Sequence, residues 1–85
     1  MDHSQYIIDK LEEARDERGM PIAELARRSG IHRKRLWYIL NGKRKLRADE
    51  FVRLIVIMGT PITTYIPTEM LDALSRSHSN WNHQR

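Results

Sequence analysis

The chain has 85 residues and a formal net charge of +4, with fifteen Lys and Arg against eleven Asp and Glu. This length supports one domain with one modest core. The absence of cysteine excludes a disulfide framework and thiolate zinc, and the longest apolar run, residues 54–58, is too short for a membrane span or a signal-peptide core. We therefore expect a soluble, cytoplasmic protein without a membrane partner.

The charges are segregated along the chain. Nine of the fifteen basic residues lie within positions 27–47, where there is no acidic residue, whereas six of the eleven acids lie within positions 2–17. A surface that is merely solvated would intersperse the two signs. The segregation favours a polyanionic partner, because each phosphate that a cation neutralises releases counterions from nucleic acid.

The first predicted helix begins at Ser4 or Gln5 and runs to Arg18, after a frayed start. Ile7, Leu11 and Ala14 share one face, and the next residue, a glycine, ends the helix. The remaining positions are acidic: Asp9, Glu12, Glu13, Asp16 and Glu17. We interpret them as a solvated surface, because no pocket-forming or histidine-bearing element accompanies them as acid–base catalysis would require.

The centre of the chain, residues 22–42, predicts two short helices joined by a tight turn. Leu25 and Ala26 give the first helix its apolar face. Gly30 supplies the positive φ that ends this helix in a sharp bend, and Ile31 plugs the crevice between the two helices.

The second helix of this unit spans about residues 32–41 and has two distinct faces. Its inward face is aliphatic: Leu36, Ile39 and Leu40. Its opposite face is basic and aromatic: Arg33, Lys34, Trp37 and Tyr38. Because aliphatic residues already occupy the inward positions, we expect both aromatic residues to be exposed.

The sequence resembles the Cro/repressor-type helix-turn-helix family, which includes lambdoid phage repressors and xenobiotic-response-element regulators. The resemblance rests on KLEEARDERGM (10–20), AELARRSGI (23–31) and ILNGKRK (39–45), and it reaches Gly59. It implies an all-α, lambda-repressor-like bundle of five short helices. It also implies binding to double-stranded operator DNA, usually as a homodimer.

The expected DNA contacts fall into two groups, of which the resemblance implies the phosphate contacts of Asn41, Lys43 and Arg44. Base edges in the major groove would be read by the outward face of the second helix, with Arg33 or Lys34 on guanine and Trp37 or Tyr38 on a thymine methyl or a sugar. The phosphate contacts would fall on the helix ends and on a basic loop, residues 43–47: Ile22 through its backbone N–H, His32, Asn41, Lys43 and Arg44. His32 alternatively contacts a base edge or is simply a poor helix cap.

One family feature is missing. The resemblance pairs Arg15 with a glutamate just before Asn-Gly, but this chain has Leu40 at that position. Either Arg15 finds another carboxylate, such as Glu12, or its charge points to solvent and Leu40 adds an apolar contact.

The segment after the basic loop, residues 48–58, predicts a helix, because Asp49 and Glu50 favour a helix start and Gly59 a stop. Val52 and Val56 leave it apolar on more than one side. This excess predicts a second packing surface for the C-terminal segment or for another subunit.

The C-terminal part predicts two more short helices and a tail. Thr60-Pro61 would cap a helix over residues 62–66, and Thr68 an extra helix to about Arg76. This extra helix either covers the two valines, which we slightly favour, or forms a dimer contact. The domain would then be residues 1–76, with a disordered tail at 77–85 in which His78 and His83 are not metal ligands.

These patterns predict a transcriptional regulator, more readily a repressor than an activator, of phage, mobile-element or bacterial type. It would bind a two-fold operator as a homodimer and need no cofactor or metal. Two alternatives stay open: a DNA-binding antitoxin, and an adaptor that binds a protein instead of DNA. An enzyme is not expected, because the sequence has no nucleophile–base pair, phosphate-binding glycine loop or metal-ligand spacing.

Overall fold

The structure is a computed structural model that describes residues 2–83, with side chains for residues 2–76. Its regular secondary structure is helical. Its elements are α1 (Ser4–Glu17), α2 (Ile22–Ser29), α3 (Arg33–Leu40), α4 (Ala48–Met58), a 3-10 helix (Ile62–Tyr65) and α5 (Thr68–His83). No strand occurs over residues 2–83. The all-α prediction is confirmed, and the helices over residues 4–58 lie where the apolar spacing placed them. None of the described helices is long and apolar enough to cross a membrane.

One hydrophobic core joins the first four helices and the 3-10 helix. Its fully buried side chains come from α1 (Leu11), α2 (Leu25), α3 (Leu36, Ile39) and α4 (Leu54). All the predicted inward positions of α2 and α3 are buried. On α1 the buried isoleucine is Ile8, while Ile7 is half-buried and packs against the core.

The turn between α2 and α3 has the predicted geometry. Gly30 has φ +72°, and its N–H donates to the carbonyl of Ala26. Ile31 is buried, and its N–H donates to the hydroxyl of Ser29. Arg53 of α4 donates to the Ser29 carbonyl at 3.0 Å, so the end of α2 is hydrogen-bonded from a third helix. These bonds fix the angle at which α3 leaves α2.

Arg15 binds the carboxylate of Glu12, which was one of the two predicted alternatives. Its Nε and Nη2 lie 2.8 and 2.7 Å from Glu12 Oε2, and its Nη1 donates to the carbonyl of Met20 at 2.8 Å. Leu40 is buried in the core instead of carrying a charge. The charge pair that the family resemblance implies between α1 and α3 is therefore replaced by a local pair on α1 and an apolar contact.

The C-terminal segment differs from the prediction. Val52 and Val56 of α4 are 54% and 71% exposed, so the favoured interpretation, that the last helix covers them, is wrong. The helix that follows the 3-10 helix directs the side chains of Leu71 and Leu74 into solvent. Apolar spacing alone gave no information on the direction in which this helix leaves the bundle.

The structure also differs from the predicted cap of the 3-10 helix and from the predicted end of α5. Thr60 does not cap the 3-10 helix; its hydroxyl lies 2.6 Å from the hydroxyl of the buried Tyr65. The backbone of α5 continues to His83 instead of ending near Arg76. The predicted tail at 77–85 lies outside the described side chains, and the domain boundary at residue 76 stays a prediction.

Candidate nucleic-acid interface

An open cleft of about 460 Å³ lies between the start of α2 and the outward face of α3. We call it the α2–α3 cleft, and its lining consists of Ile22, His32, Arg33, Lys34, Trp37 and Tyr38. All four predicted base-contacting residues therefore lie together, with two of the predicted phosphate-contacting residues beside them.

Helix geometry determines which side chains of α3 reach this cleft. The helix has eight residues, and its inward positions fill the core, which leaves the outward positions to face solvent. Trp37 is 45% exposed, as predicted, whereas Tyr38 is half-buried. The two rings pack edge to face, with centroids 5.4 Å apart and planes at 76°. This contact is of the kind that aromatic pairs prefer.

His32 caps α3, so the poor-cap alternative is excluded. Its Nδ1 accepts a hydrogen bond from the N–H of Lys34 at 3.3 Å, which satisfies one of the free donors at the start of the helix. The cap fixes the ring at the edge of the α2–α3 cleft. A contact between His32 and a phosphate or base stays a prediction.

The other predicted phosphate-contacting residues surround the end of α3. The side-chain amide of Asn41 donates to the carbonyl of Trp37, and the N–H of Lys43 donates to the carbonyl of Tyr38, both at 2.8 Å. The guanidinium of Arg44 lies 5.7 Å from the centre of the Tyr38 ring. Lys43 and Arg44 line a second cleft, of about 780 Å³, between the basic loop and the start of α1.

The basic segment, residues 27–47, contains cations that form ion pairs with carboxylates and cations that do not. Three of its arginines form ion pairs: Arg28 with Glu24 at 3.5 Å, Arg35 with Glu50 at 2.6 Å and Arg47 with Asp49 at 3.4 Å. The other cations of this segment form no ion pair with any described residue: Arg27, Arg33, Lys34, Lys43, Arg44 and Lys45. Six of the nine cations in positions 27–47, among them Arg33 and Lys34 of the α2–α3 cleft, are therefore available to an anionic partner.

The pairing of Arg35 with Glu50 was not found from the sequence. Arg35 donates from Nε and Nη2 to the two carboxylate oxygens at 2.6 and 2.9 Å, and Nη2 also lies 3.2 Å from the carbonyl of Lys45. Glu50 is only 2% exposed and accepts the N–H of Arg47 at 2.9 Å. A glutamate three residues after the N-cap often accepts the N-cap N–H at the start of a helix. The position of Glu50 after Arg47 was the one sequence feature that indicated a structural role for this carboxylate. This pair holds α3, the basic loop and α4 together.

The environment of Glu50 favours its charged form. The hydrogen bonds from the Arg35 guanidinium, aided by the Arg47 N–H, lower the pKa of Glu50 to about 2, although burial acts in the opposite direction. A carboxylate with a depressed pKa stabilises the folded state at any pH above its unfolded-state pKa. This contribution is lost as the pH falls from about 4.5 toward 2.

We therefore expect part of the acid destabilisation of this protein to come from Glu50. Between pH 4.5 and 2, the free energy of unfolding of the wild type should fall more steeply than that of Glu50→Gln, which cannot take up this proton. Urea unfolding at a series of pH values measures both profiles. Glu13→Gln, on the exposed surface of α1, is the matched control and should keep the wild-type slope. Parallel profiles for wild type and Glu50→Gln would contradict this assignment.

Comparison with known proteins identifies the central part of the chain. Residues 11–65, which include the α2–α3 cleft and the basic loop, match a protein-family model described as helix-turn-helix. The chain matches no curated protein and no solved structure. Within the described residues, no group of three His, Asp or Glu side chains is placed to hold a metal ion.

Proposed function

This chain belongs to the Cro/C1-type helix-turn-helix family of DNA-binding transcription regulators, and we propose that it represses transcription by occupying a specific operator as a homodimer. In this proposal α3 lies in the major groove of double-stranded DNA, and the protein acts in the cytoplasm of a bacterium, on chromosomal, phage or mobile-element DNA. Repression requires only occupancy of the site.

The observation that supports the proposal is a set of cationic side chains on the exposed face of a helix that can enter a DNA groove. The α2–α3 cleft presents Arg33 and Lys34 beside Trp37 on the outward face of a helix, next to a loop with unpaired cations. A major groove about 12 Å wide admits such a helix, and its cations find guanine O6 and N7 there. Base contacts are assigned to Arg33, Lys34, Trp37 and Tyr38.

Phosphate contacts are assigned to the residues that frame this helix. They are the N–H of Ile22 and the side chains of His32, Asn41, Lys43 and Arg44. The first N–H groups of a helix have no intrahelical acceptor, so the start of α2 suits a phosphate oxygen. The two basic loop residues add positive charge at the other end of α3. Such contacts position the protein without reading sequence.

Dimerisation is supported by the exposed apolar surface of α4. Val52 and Val56 are more than half exposed, and α5 leaves them uncovered. We assign this surface to contact with a second copy of the chain. A two-fold dimer would place its recognition helices about 34 Å apart, one turn of DNA, and so select an inverted repeat.

The direct test is selection of bound duplexes from a randomised DNA pool at near-physiological salt. Enrichment of an inverted repeat is the expected result, and it would supply the operator. If no sequence is enriched and binding vanishes as salt rises, only electrostatic attraction remains. That outcome would overturn operator recognition and favour a protein partner.

Two arginines should behave differently on the selected operator. Arg44→Ala should weaken binding to all sequences alike and reduce the slope of log affinity against log salt by about 1. Arg33→Ala should cost about 1–3 kcal/mol on the operator and relax the preference at one base position. Affinities for the operator and its single-base variants, measured at several salt concentrations, separate the two effects. The control is Arg76→Ala on α5, and equal binding by all three variants and wild type would refute the assignment.

A further inference from the structure

We infer that the α2–α3 cleft binds the 5-methyl group of a thymine in the operator, between Ile22 and Trp37. This inference rests on the proposed DNA binding and adds a chemical identity for one of the bases that the protein reads. It also gives the Ile22 side chain a role that the sequence alone did not, since only its backbone N–H was assigned there.

The walls of the cleft are apolar and come from two helices. Ile22 is the first residue of α2 and is half-buried, and Trp37 and Tyr38 face it from α3. An isoleucine side chain has no hydrogen-bonding group with which to read a base edge or bind a phosphate. The thymine methyl is the apolar group that unmodified bases present in the major groove. An apolar wall at this position therefore suits thymine.

The polar side chains of the cleft are mainly hydrogen-bond donors, although the hydroxyl of Tyr38 can also accept. Arg33 and Lys34 have no acceptor in their side chains, and the indole of Trp37 only donates. His32 accepts the Lys34 N–H on Nδ1, so the neutral ring carries its proton on Nε2 and donates from there. Among the residues whose side chains the structure describes, no Asp, Glu, Asn or Gln lines the cleft.

This set of donors discriminates among the bases. Cytosine presents an N4 amino group that requires an acceptor, and adenine requires a donor and an acceptor together. Guanine is satisfied by the donors but has no methyl group. Thymine has the O4 acceptor next to its methyl group. The O4 atom suits the donors of the cleft, and the methyl group suits its apolar side chains.

The aromatic wall is held in place before any ligand binds. The Trp37 ring packs edge to face on Tyr38, with the two centroids 5.4 Å apart. The Tyr38 ring in turn lies beside the guanidinium of Arg44. Ordering of interface side chains is one of the costs of association, and these contacts reduce it.

The test replaces thymine by uracil, one position at a time, in the operator obtained by selection. Uracil lacks only the methyl group and keeps O4 and its pairing. At one position in each half-site, uracil should weaken binding of the wild-type protein by about three- to tenfold, the effect of burying one methyl group. Titration of labelled duplexes at fixed salt measures this ratio.

Variants of Ile22 connect the effect to the cleft. Ile22→Ala should bind the thymine and uracil duplexes with nearly equal affinity, because one wall of the methyl site is missing. Ile22→Gln, which replaces the apolar wall by a polar side chain, provides a second variant with the same expected loss. Ile62→Ala, at an exposed isoleucine of the 3-10 helix, is the matched control and should discriminate as the wild type does.

The outcomes separate this inference from the proposed function. Equal binding of thymine and uracil at every operator position would overturn the inference and leave operator recognition intact. If both folded Ile22 variants still prefer thymine over uracil as strongly as the wild type does, the methyl group binds elsewhere. That result would also overturn the inference. Failure to select any operator would overturn the proposed function, and the inference with it.

Discussion

Replacing Arg35 by leucine is expected to destabilise the protein by more than the roughly 1 kcal/mol that breaking an exposed ion pair costs. The substitution leaves the Glu50 carboxylate in an environment where it is 2% exposed, without the guanidinium that holds it. A third of the Arg35 side chain is exposed, so water replaces part of the lost interaction and the loss stays below that for a fully buried pair. Urea unfolding at neutral pH measures the change.

A second substitution tests whether the loss comes from the unpaired charge. Arg35→Leu combined with Glu50→Leu removes the charge as well, and replacing both partners of a buried pair by apolar residues is often neutral. The double variant should therefore be more stable than Arg35→Leu, although the N–H of Arg47 loses its acceptor. Arg28→Leu, which breaks an exposed pair with Glu24, is the control and should cost less than about 1 kcal/mol. If Arg35→Leu costs no more than this control, the pair does not hold the helices together.

Leu36→Ala should cost about 2–5 kcal/mol, because it leaves a cavity between α3 and the rest of the core. Leu36 is 0% exposed and lies on the inward face of the helix whose outward face lines the α2–α3 cleft. Thermal or urea unfolding gives the change in free energy. Ile62→Ala, at a position of the 3-10 helix that is 58% exposed, should change it by less than about 0.5 kcal/mol. Similar losses at both positions would mean that Leu36 does not belong to the core.

The parts of the fold that the sequence predicted are those with local causes. The turn at Gly30 follows from the conformational freedom of glycine, and the inward face of α3 follows from helical spacing. The same spacing predicted the shared outward face of Arg33, Lys34, Trp37 and Tyr38, which lines the α2–α3 cleft. It assigned Trp37 correctly to the surface, because the inward positions were already occupied.

The parts that the sequence did not predict depend on distant partners. Arg35 lies between the inward and outward faces of α3, so spacing does not decide whether it meets DNA or protein. Its partner, Glu50, is on α4 and becomes visible only when the helices are packed. The direction of α5 is also a matter of packing, since neither Leu71 nor Leu74 specifies which surface it contacts.

The exposure of α5 has a consequence for how the protein unfolds. From Leu71 to Arg76 every side chain is exposed, so this part of the helix draws little stabilisation from the core. Helical residues without tertiary support are marginally stable in water and melt over a broad range of temperature. The bundle that carries α3 has a shared core and unfolds cooperatively. The exposed part of α5 is therefore expected to lose its helical structure in a separate transition, while the bundle and the α2–α3 cleft stay folded.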